Sequence, residues 1–221
     1  MVPIAGCQCL FFHTEAPGLL ISRGYGRGMP TRPAYAIAKH NLFDVDVYIK
    51  VAVVQGNILQ SMKWDRRHAR FIMQTYSRIT LEASRTNPAL IIWPESSTPG
   101  PIGLNRRLHQ EVRRITKEAG NYLLLGSSSH QKLKTGTGRA LSNSAFLFSP
   151  NPSARKQRYD KICLFPFGEY LPMENTIPWA WINVPDIPSF SPGKNYTVFQ
   201  GPGFRFGVTI CWEILFPEMV R

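Results

Sequence analysis

Short apolar strands alternate with amphipathic helices from residue 49 onward, and this order constrains the fold more than any other feature of the chain. The strand-like runs share β-branched or apolar residues and strand length: 49–55, 89–93, 122–126, 144–148 and 204–210. Apolar residues recur at helical spacing over about 63–86 and 104–119, and Gly120 is a typical stop for the second helix. This alternation predicts an α/β layered domain whose early strands are joined by helical crossovers.

The first 48 residues have a different texture. Glycines and prolines are scattered among arginines there, and no period of 2 or 3.6 residues is sustained. We expect residues 1–48 to be a poorly ordered leader or linker and residues 49–221 to form the domain. Within that domain, residues 165–203 are dense in Pro and Gly and are predicted to form long irregular loops, which in compact domains are often binding loops.

Charge and cysteine content limit the classes of function. The 26 Lys and Arg residues against 14 Asp and Glu residues give a net charge of +12, which favours an anionic partner such as a phospholipid surface or a nucleic acid. No run approaches the roughly 20 apolar residues that a spanning helix needs, so this chain as given is not predicted to cross a membrane. The four cysteines have neither zinc-ribbon nor disulfide-scaffold spacing, and we expect no metal and no cofactor.

Three residues with chemical potential follow extended runs: Glu95, Lys161 and Cys211. In α/β folds active sites collect at such strand ends. Taken singly, the three are typical of a loop cap, a surface lysine and a small buried thiol. Taken together, they supply a general base, a cation for a developing oxyanion and a nucleophile that can form a thioester.

A cysteine paired with a histidine is the alternative nucleophile arrangement. The histidines fall in the leader, in predicted helices or in a polar loop, which disfavours that pairing: His13, His40, His68, His109 and His130. The Glu-Lys-Cys arrangement is therefore the better prediction.

The motifs around these residues resemble a known family. Trp93-Pro94-Glu95, Tyr159-Asp160-Lys161 and Cys211-Trp212-Glu213, in this order, resemble the triad motifs of the carbon–nitrogen hydrolase (nitrilase) superfamily. Within it, the segments 164–172 and 206–218 look most like the apolipoprotein N-acyltransferase family. The resemblance covers residues from about 49 to 221.

The resemblance implies a nitrilase-type α-β-β-α sandwich and a bacterial membrane acyltransferase of lipoprotein biosynthesis. Such an enzyme transfers a fatty acyl chain from a phospholipid to the N-terminal amine of a diacylglyceryl-cysteine lipoprotein, with its catalytic domain on the outer, periplasmic face of the inner membrane. Cys211 would hold the acyl group as a thioester. Glu169 would be a second active-site glutamate beside Lys161, and Glu213 an acidic residue on which the acyltransferase depends. Trp212 stands where a tyrosine is common in the family, and either ring can wall an acyl site.

Two departures from the family pattern leave the activity of the chain open. The family's enzyme has membrane-spanning helices on both sides of its catalytic domain, and strands and a helix of the sandwich would follow residue 221. We therefore expect the sandwich to be truncated at its C-terminal side. Alternatives to the acyltransferase are a soluble nitrilase-type amidase that uses the same triad and a catalytically inactive fragment.

An aromatic loop and a basic cluster are the segments whose composition could suit contact with lipid or with nucleic acid. Pro178, Trp179, Trp181 and Ile182 form a loop that could touch lipid or an acyl chain, although core packing explains it equally well. The basic cluster 66–70 is more typical of a solvated helix face than of nucleic-acid binding. We expect a membrane partner and no nucleic acid.

Overall fold

A computed structural model gives the fold of the chain. The ranges it describes are residues 8–12, 19–20, 34–38, 49–63, 65–132, 139–173, 176 and 189–219. The loop containing Pro178, Trp179, Trp181 and Ile182 lies outside the described residues.

The described elements alternate between strands and helices in the central part of the chain. The strands are β1 (Gln8–Phe12), β2 (Leu19–Leu20), β3 (Ala34–Ala38), β4 (Ile49–Val53), β5 (Leu90–Ile92), β6 (Tyr122–Lys132), β7 (Arg139–Phe148), β8 (Gln157–Asp160), β9 (Phe199–Gln200) and β10 (Arg205–Ile210). The helices are α1 (Gln60–Lys63), α2 (Ala69–Ser84) and α3 (Arg106–Ala119). Short 3₁₀ turns cover Arg66–His68, Cys211–Leu215 and Pro217–Met219.

Six strands form the larger sheet, in the order β3-β4-β5-β6-β7-β8. The central strands β4, β5 and β6 are parallel, and the other pairs are antiparallel. The parallel pairs are joined through α2 and α3, whose apolar sides pack on one face of the sheet. Trp93 is fully buried in this layer, where its ring stacks on Tyr76 and its Nε1 donates to Oγ1 of Thr80 at 2.8 Å. Burial of such aromatic surface stabilises the helix layer.

The opposite face of this sheet packs on a second sheet of four strands in the order β2-β1-β10-β9. The rings of Phe199 and Phe206 stack 5.3 Å apart between the sheets, and both side chains are fully buried. Leu124 and Leu147 of the larger sheet belong to the same cluster. Helices, larger sheet and smaller sheet therefore make three layers with two apolar cores between them.

The α/β prediction and its helical crossovers are confirmed. Helix α3 ends where predicted, because Gly120 adopts a φ of 70° and its backbone N–H donates to the carbonyls of Thr116 and Lys117. Helix α2 begins at Ala69, later than predicted, since Asp65 caps a 3₁₀ turn first by accepting from the N–H of Arg67. Strand β7 begins earlier than predicted because its ladder with β6 extends over polar residues.

Part of the segment predicted to be a poorly ordered leader or linker, 1–48, is described. In it, β1 pairs with β10 and β3 pairs with β4, both antiparallel. The division at residue 49 stays a prediction. Across the described ranges, no helix is both long and apolar enough to span a bilayer.

Candidate active site

The fold brings the three predicted residues to one edge of the sheets. Strands β5 and β8 run in the same direction in the larger sheet, so the residues that follow them, Glu95 and Lys161, meet at the same edge. Cys211 follows β10 of the smaller sheet. The pKa of the Cys211 thiol responds to the charges of both Glu95 and Lys161, so all three groups lie within electrostatic range of one another.

Glu95 is a buried carboxylate, with 9% of its surface exposed. Its Oε1 accepts a hydrogen bond from Nδ2 of Asn143 at 2.7 Å. Burial raises the pKa of Glu95, while the Asn143 bond and the Lys161 charge act in the opposite direction. A carboxylate whose pKa is moved upward toward neutrality is a stronger base than an ordinary surface glutamate.

Lys161 is buried and paired. Only 1% of its side chain is exposed, and its Nζ donates to Oε2 of Glu169 at 2.7 Å. Its backbone N–H donates to the carbonyl of Asn143 at 2.8 Å, and its carbonyl accepts from the N–H of Gly193 at 2.7 Å. Backbone and side chain are thus both fixed, which holds the ammonium at one place near the thiol.

Asn143 is a site residue that the sequence analysis missed. Its Nδ2 donates to Glu95 and, at 3.0 Å, to Oε1 of Glu169, so one amide bridges the two carboxylates. The signal available in the sequence was the polar run 142–144 next to the apolar residues 145–148. Since an amide has no charge, Asn143 can sit between two acids without neutralising either of them.

Cys211 occupies a strained turn. Its φ is 58°, in the left-handed region that residues with a side chain rarely adopt, and it is the first residue of the 3₁₀ turn 211–215. Burial raises the pKa of the thiol, and the charge of Glu95 adds to the rise, whereas Lys161 and the backbone N–H of Trp212 lower it. Because the net direction is upward, the resting thiol is protonated at neutral pH, and attack by its sulfur requires a base.

Glu213 connects the loop after Lys161 to the turn at Cys211. Its side chain is fully buried. Oε1 accepts from the hydroxyl of Tyr159 at 2.9 Å and from the backbone N–H groups of Ile162 and Cys163 at 2.7 and 3.0 Å. Oε2 accepts from the N–H of Ile210 at 2.8 Å. A single carboxylate therefore fixes the position of the thiol-bearing turn relative to the segment that carries Lys161.

Trp212, the residue after Cys211, packs among aromatic rings. Its Nε1 donates to the carbonyl of Cys163 at 2.7 Å, and its ring meets those of Phe165 and Phe216 edge-on at 5.1 and 5.2 Å. Phe165 is 49% exposed, and Leu215, three residues after Trp212, is 72% exposed. The chain around Trp212 therefore presents apolar surface that is partly open to solvent.

Histidine has no part in this arrangement among the described residues. The side chains that shift the pKa of Cys211 are Glu95, Lys161 and Glu169. His68 lies beside Asp65 at the start of α2, and His109 lies in α3. In the part of the chain that the structure describes, no group of three or more His, Cys, Asp and Glu side chains is placed to hold a metal ion.

The chain is similar to a known protein family and to individual proteins. The family described as Carbon-nitrogen hydrolase matches residues 50–221. An apolipoprotein N-acyltransferase of Geobacter metallireducens is 33% identical over 189 residues, and that of Haemophilus influenzae is 32% identical over 199. Each alignment covers 85% of this chain and 36% of the relative, so the chain spans about a third of the length of these relatives.

Among solved structures, an amidase from Nesterenkonia sp. is similar, with a TM-score of 0.47 and 19% sequence identity. The match covers 76% of this chain and 57% of the amidase.

Proposed function

Because this chain belongs to the carbon–nitrogen hydrolase family, we propose that it carries the catalytic site of a lipoprotein N-acyltransferase, with Cys211 as the nucleophile. The observation that carries the proposal is the convergence of a buried base, Glu95, and a buried ammonium, Lys161, on the half-buried thiol. The acyltransferases that align with most of this chain favour an acyl chain as the group transferred.

The first half-reaction forms the acyl-enzyme. Glu95 takes the thiol proton of Cys211 as the sulfur attacks the ester carbonyl of a phospholipid, and the carbonyl electron pair moves onto oxygen. The Lys161 ammonium and the N–H of Trp212 stabilise that oxyanion. Collapse breaks the bond to the glycerol oxygen, which takes the proton from Glu95 and leaves as the lysophospholipid. The acyl chain remains on Cys211 as a thioester.

The second half-reaction transfers the chain to an amine. The N-terminal amine of a diacylglyceryl-cysteine lipoprotein attacks the thioester carbonyl and gives a proton to Glu95. Collapse of the intermediate breaks the carbon–sulfur bond, and the sulfur of Cys211 recovers the proton. The products are an amide and the free thiol, so Glu95 returns to its starting state and no cofactor is consumed.

Two further glutamates hold the catalytic residues in position. Glu169 holds the ammonium of Lys161, and Glu213 fixes the turn that presents Cys211. The exposed apolar side chains Phe165 and Leu215, together with the ring of Trp212, offer contact surface to an acyl chain. The proposal places this site at the outer, periplasmic face of the bacterial inner membrane, where both substrates meet.

The test is formation of an acyl-enzyme. The 221-residue chain is incubated with phosphatidylethanolamine in detergent micelles, and its intact mass is measured. We expect a mass increase of one fatty acyl group that hydroxylamine removes, as a thioester requires. Cys211→Ala should abolish it and Cys163→Ala should leave it unchanged, since the charge of Glu95 acts on the Cys211 thiol, whereas the carboxylates that act on the Cys163 thiol are Glu213 and Glu218. Lys161→Ala should slow it by about 10²- to 10³-fold, the loss typical of an oxyanion donor.

Three outcomes would contradict the proposal. Acylation that persists in Cys211→Ala would assign the nucleophile elsewhere, and a loss of less than about tenfold in Lys161→Ala would remove the lysine from oxyanion stabilisation. Hydrolysis of a small amide such as butyramide, without any acyl transfer from phospholipid, would make the site that of an amidase.

A further inference from the structure

A partly open cavity, with a volume of about 230 Å³, lies in the helix layer, and none of the catalytic residues described above lines it. It is lined by α3, by the end of β7, by the turn 149–156 and by the start of β8, together with Ile102 and Gly103. In the larger sheet, Phe148 pairs with Leu123 near the start of β6, whereas Asn143 of the catalytic site pairs with Ser128. Five residues of strand separate Asn143 from Phe148, which is about 17 Å. Most of the cavity lining therefore lies toward the opposite end of the strands, and Ile102 and Gly103 complete it near Ser127 and Ser129.

The charged residues that line this cavity are all basic. They are Arg113, Arg155, Lys156 and Arg158, together with His109, and no Asp or Glu is among the lining residues. Burial lowers the pKa of His109, and the charges of Lys156 and Arg113 lower it further, so both cations act on the imidazole. Arg158 is paired with Asp160, whereas among the described residues no acid pairs with Arg113 or Lys156. A bound anion would relieve the repulsion between these cations.

The guanidinium group of Arg158 uses only part of its hydrogen-bonding capacity within the described residues. Its Nε donates to Oδ1 of Asp160 at 2.6 Å, and its guanidinium carbon lies 5.6 Å from the centre of the Phe146 ring. Its Nη2 is buried and has no hydrogen-bond partner among the described residues. A buried donor without a partner costs free energy, which an acceptor in the cavity would recover.

The rest of the lining is apolar and aromatic. Phe146 and Phe148 contribute their side chains, and the ring of His109 lies 5.4 Å from that of Phe148. Arg113 connects α3 to the turn 149–156, since its Nη2 donates to the carbonyl of Pro152 at 2.7 Å. The cavity thus joins an aromatic floor to guanidinium groups, whose paired donors match the oxygens of a phosphate.

We infer that this cavity binds a small phosphomonoester, with its apolar body against Phe146 and Phe148 and its phosphate among Arg113, Lys156 and Arg158. This site is separate from the proposed acyl transfer and does not rest on it. A doubly charged phosphate fits better than a carboxylate because more cations surround the cavity than one negative charge can balance.

The test uses phenyl phosphate as the probe and isothermal titration calorimetry on the 221-residue chain at low ionic strength. We expect one site per chain, with binding weaker for inorganic phosphate, which lacks the ring, and absent for phenol, which lacks the phosphate. Arg113→Gln combined with Lys156→Gln should weaken phenyl phosphate binding by at least about tenfold, or about 1.4 kcal/mol. Thermal unfolding of each variant checks that the fold is retained.

Two controls separate this site from general charge and from the catalytic site. Arg107→Gln combined with Lys117→Gln removes the same charge from exposed positions of α3 outside the cavity and should change the affinity by less than about twofold. Cys211→Ala should bind phenyl phosphate like the parent chain. Equal weakening in the two double variants, or loss of binding in Cys211→Ala, would overturn the proposal.

The phosphate group could belong to a free metabolite or to a lipid headgroup, and vesicles separate the two. If vesicles containing phosphatidic acid bind the cavity variant more weakly than the control variant, the cavity accepts a lipid phosphomonoester. If the difference is confined to phenyl phosphate, the ligand is a free phosphomonoester. No difference between the two double variants with either probe would overturn the proposal.

Discussion

Burial of Glu95 destabilises the folded chain at neutral pH, and the same burial makes the carboxylate a stronger base for the proposed reaction. Its pKa is raised mainly by burial, so the folded chain holds the proton more tightly than the unfolded chain does. The free energy of unfolding therefore decreases as pH rises from the ordinary carboxyl pKa through the raised value. Burial of this charge is a stability cost at neutral pH, of the kind that catalytic residues commonly impose.

Glu95→Gln should accordingly stabilise the fold while removing the base. At pH 7 we expect a Tm higher by about 2–4 °C, the shift that roughly 1 kcal/mol gives in a chain of this size. The difference should vanish near pH 3, about one unit or more below the ordinary carboxyl pKa, where the wild-type carboxyl is protonated in both states. Acyl-enzyme formation should be lost. Calorimetry at the two pH values measures the difference in Tm between the variant and the parent chain. A variant Tm at pH 7 below that of the parent would contradict the predicted stabilisation.

Asn143 is expected to act on catalysis through Glu95. Its hydrogen bond favours the ionised carboxylate, so Asn143→Ala should raise the pKa of Glu95 further. The acid limb of the rate of acyl-enzyme formation should then move to higher pH by about one unit, the equivalent of one charged hydrogen bond. Asn121→Ala is the matched control, because Asn121 is a buried amide whose side chain, among the described residues, bonds to the carbonyl of Pro88 and to no carboxylate. It should alter stability and leave the acid limb in place; a shift in both variants would assign Asn143 a structural role.

The sequence indicated the site residues that stand in recognisable motifs and missed Asn143. Glu95, Lys161, Cys211, Trp212 and Glu213 stand in motifs that follow strands, and Glu169 stands in the motif 164–172. Asn143 lies inside a strand, and its role depends on which carboxylates the neighbouring strands bring to it. Catalytic roles for all of these residues stay predictions.

At the scale of elements, the turn at Cys211 and the strand leading to Lys161 are held together by one buried carboxylate. The positive φ of Cys211 costs on the order of 1–2 kcal/mol, so the turn needs contacts that enforce it. The four donors that converge on Glu213 supply them.

Glu213→Ala should therefore destabilise the chain strongly. It leaves buried N–H and O–H donors without an acceptor, and we expect a loss of about 3 kcal/mol in the free energy of unfolding. Glu218→Ala is the control, because Glu218 is exposed a few residues away and should cost no more than about 0.5 kcal/mol. Urea denaturation measures the free energy of unfolding of both variants. Equal, small losses would mean that Glu213 does not fix the turn.

Element types were predictable from local patterns, whereas strand pairing was not. Periodicity and the stop at Gly120 indicated α2 and α3, and apolar runs indicated β4, β5, β6, β7 and β10. Strands β3 and β8 of the larger sheet were not predicted. The pairing of β1 with β10 joins residues about 200 positions apart, and no local pattern encodes such a contact. The described parts of the Pro-rich segment contain little regular structure, as predicted.

At the scale of the whole molecule, the family resemblance drawn from three motifs and the nitrilase-type fold class are confirmed by the match over residues 50–221.

The net charge of +12 leads to a prediction about the proposed membrane partner. The chain should bind phosphatidylglycerol vesicles at low salt and be released near 1 M NaCl, where the Debye length falls to about 3 Å. Phosphatidylcholine vesicles are the control in a sedimentation assay. Equal binding to both vesicle types would exclude charge as the attraction.

Glu95 and Lys161 follow strands of the six-stranded sheet, whereas Cys211 follows a strand of the four-stranded sheet, and apolar packing centred on Phe199 and Phe206 lies between the two sheets. The proposed proton transfer from thiol to carboxylate therefore depends on the alignment of two sheets whose described strands form no ladder with each other. On heating, a slide of one sheet over the other by an ångström or so would lengthen that transfer distance and stop the reaction, while the circular dichroism of both sheets persisted.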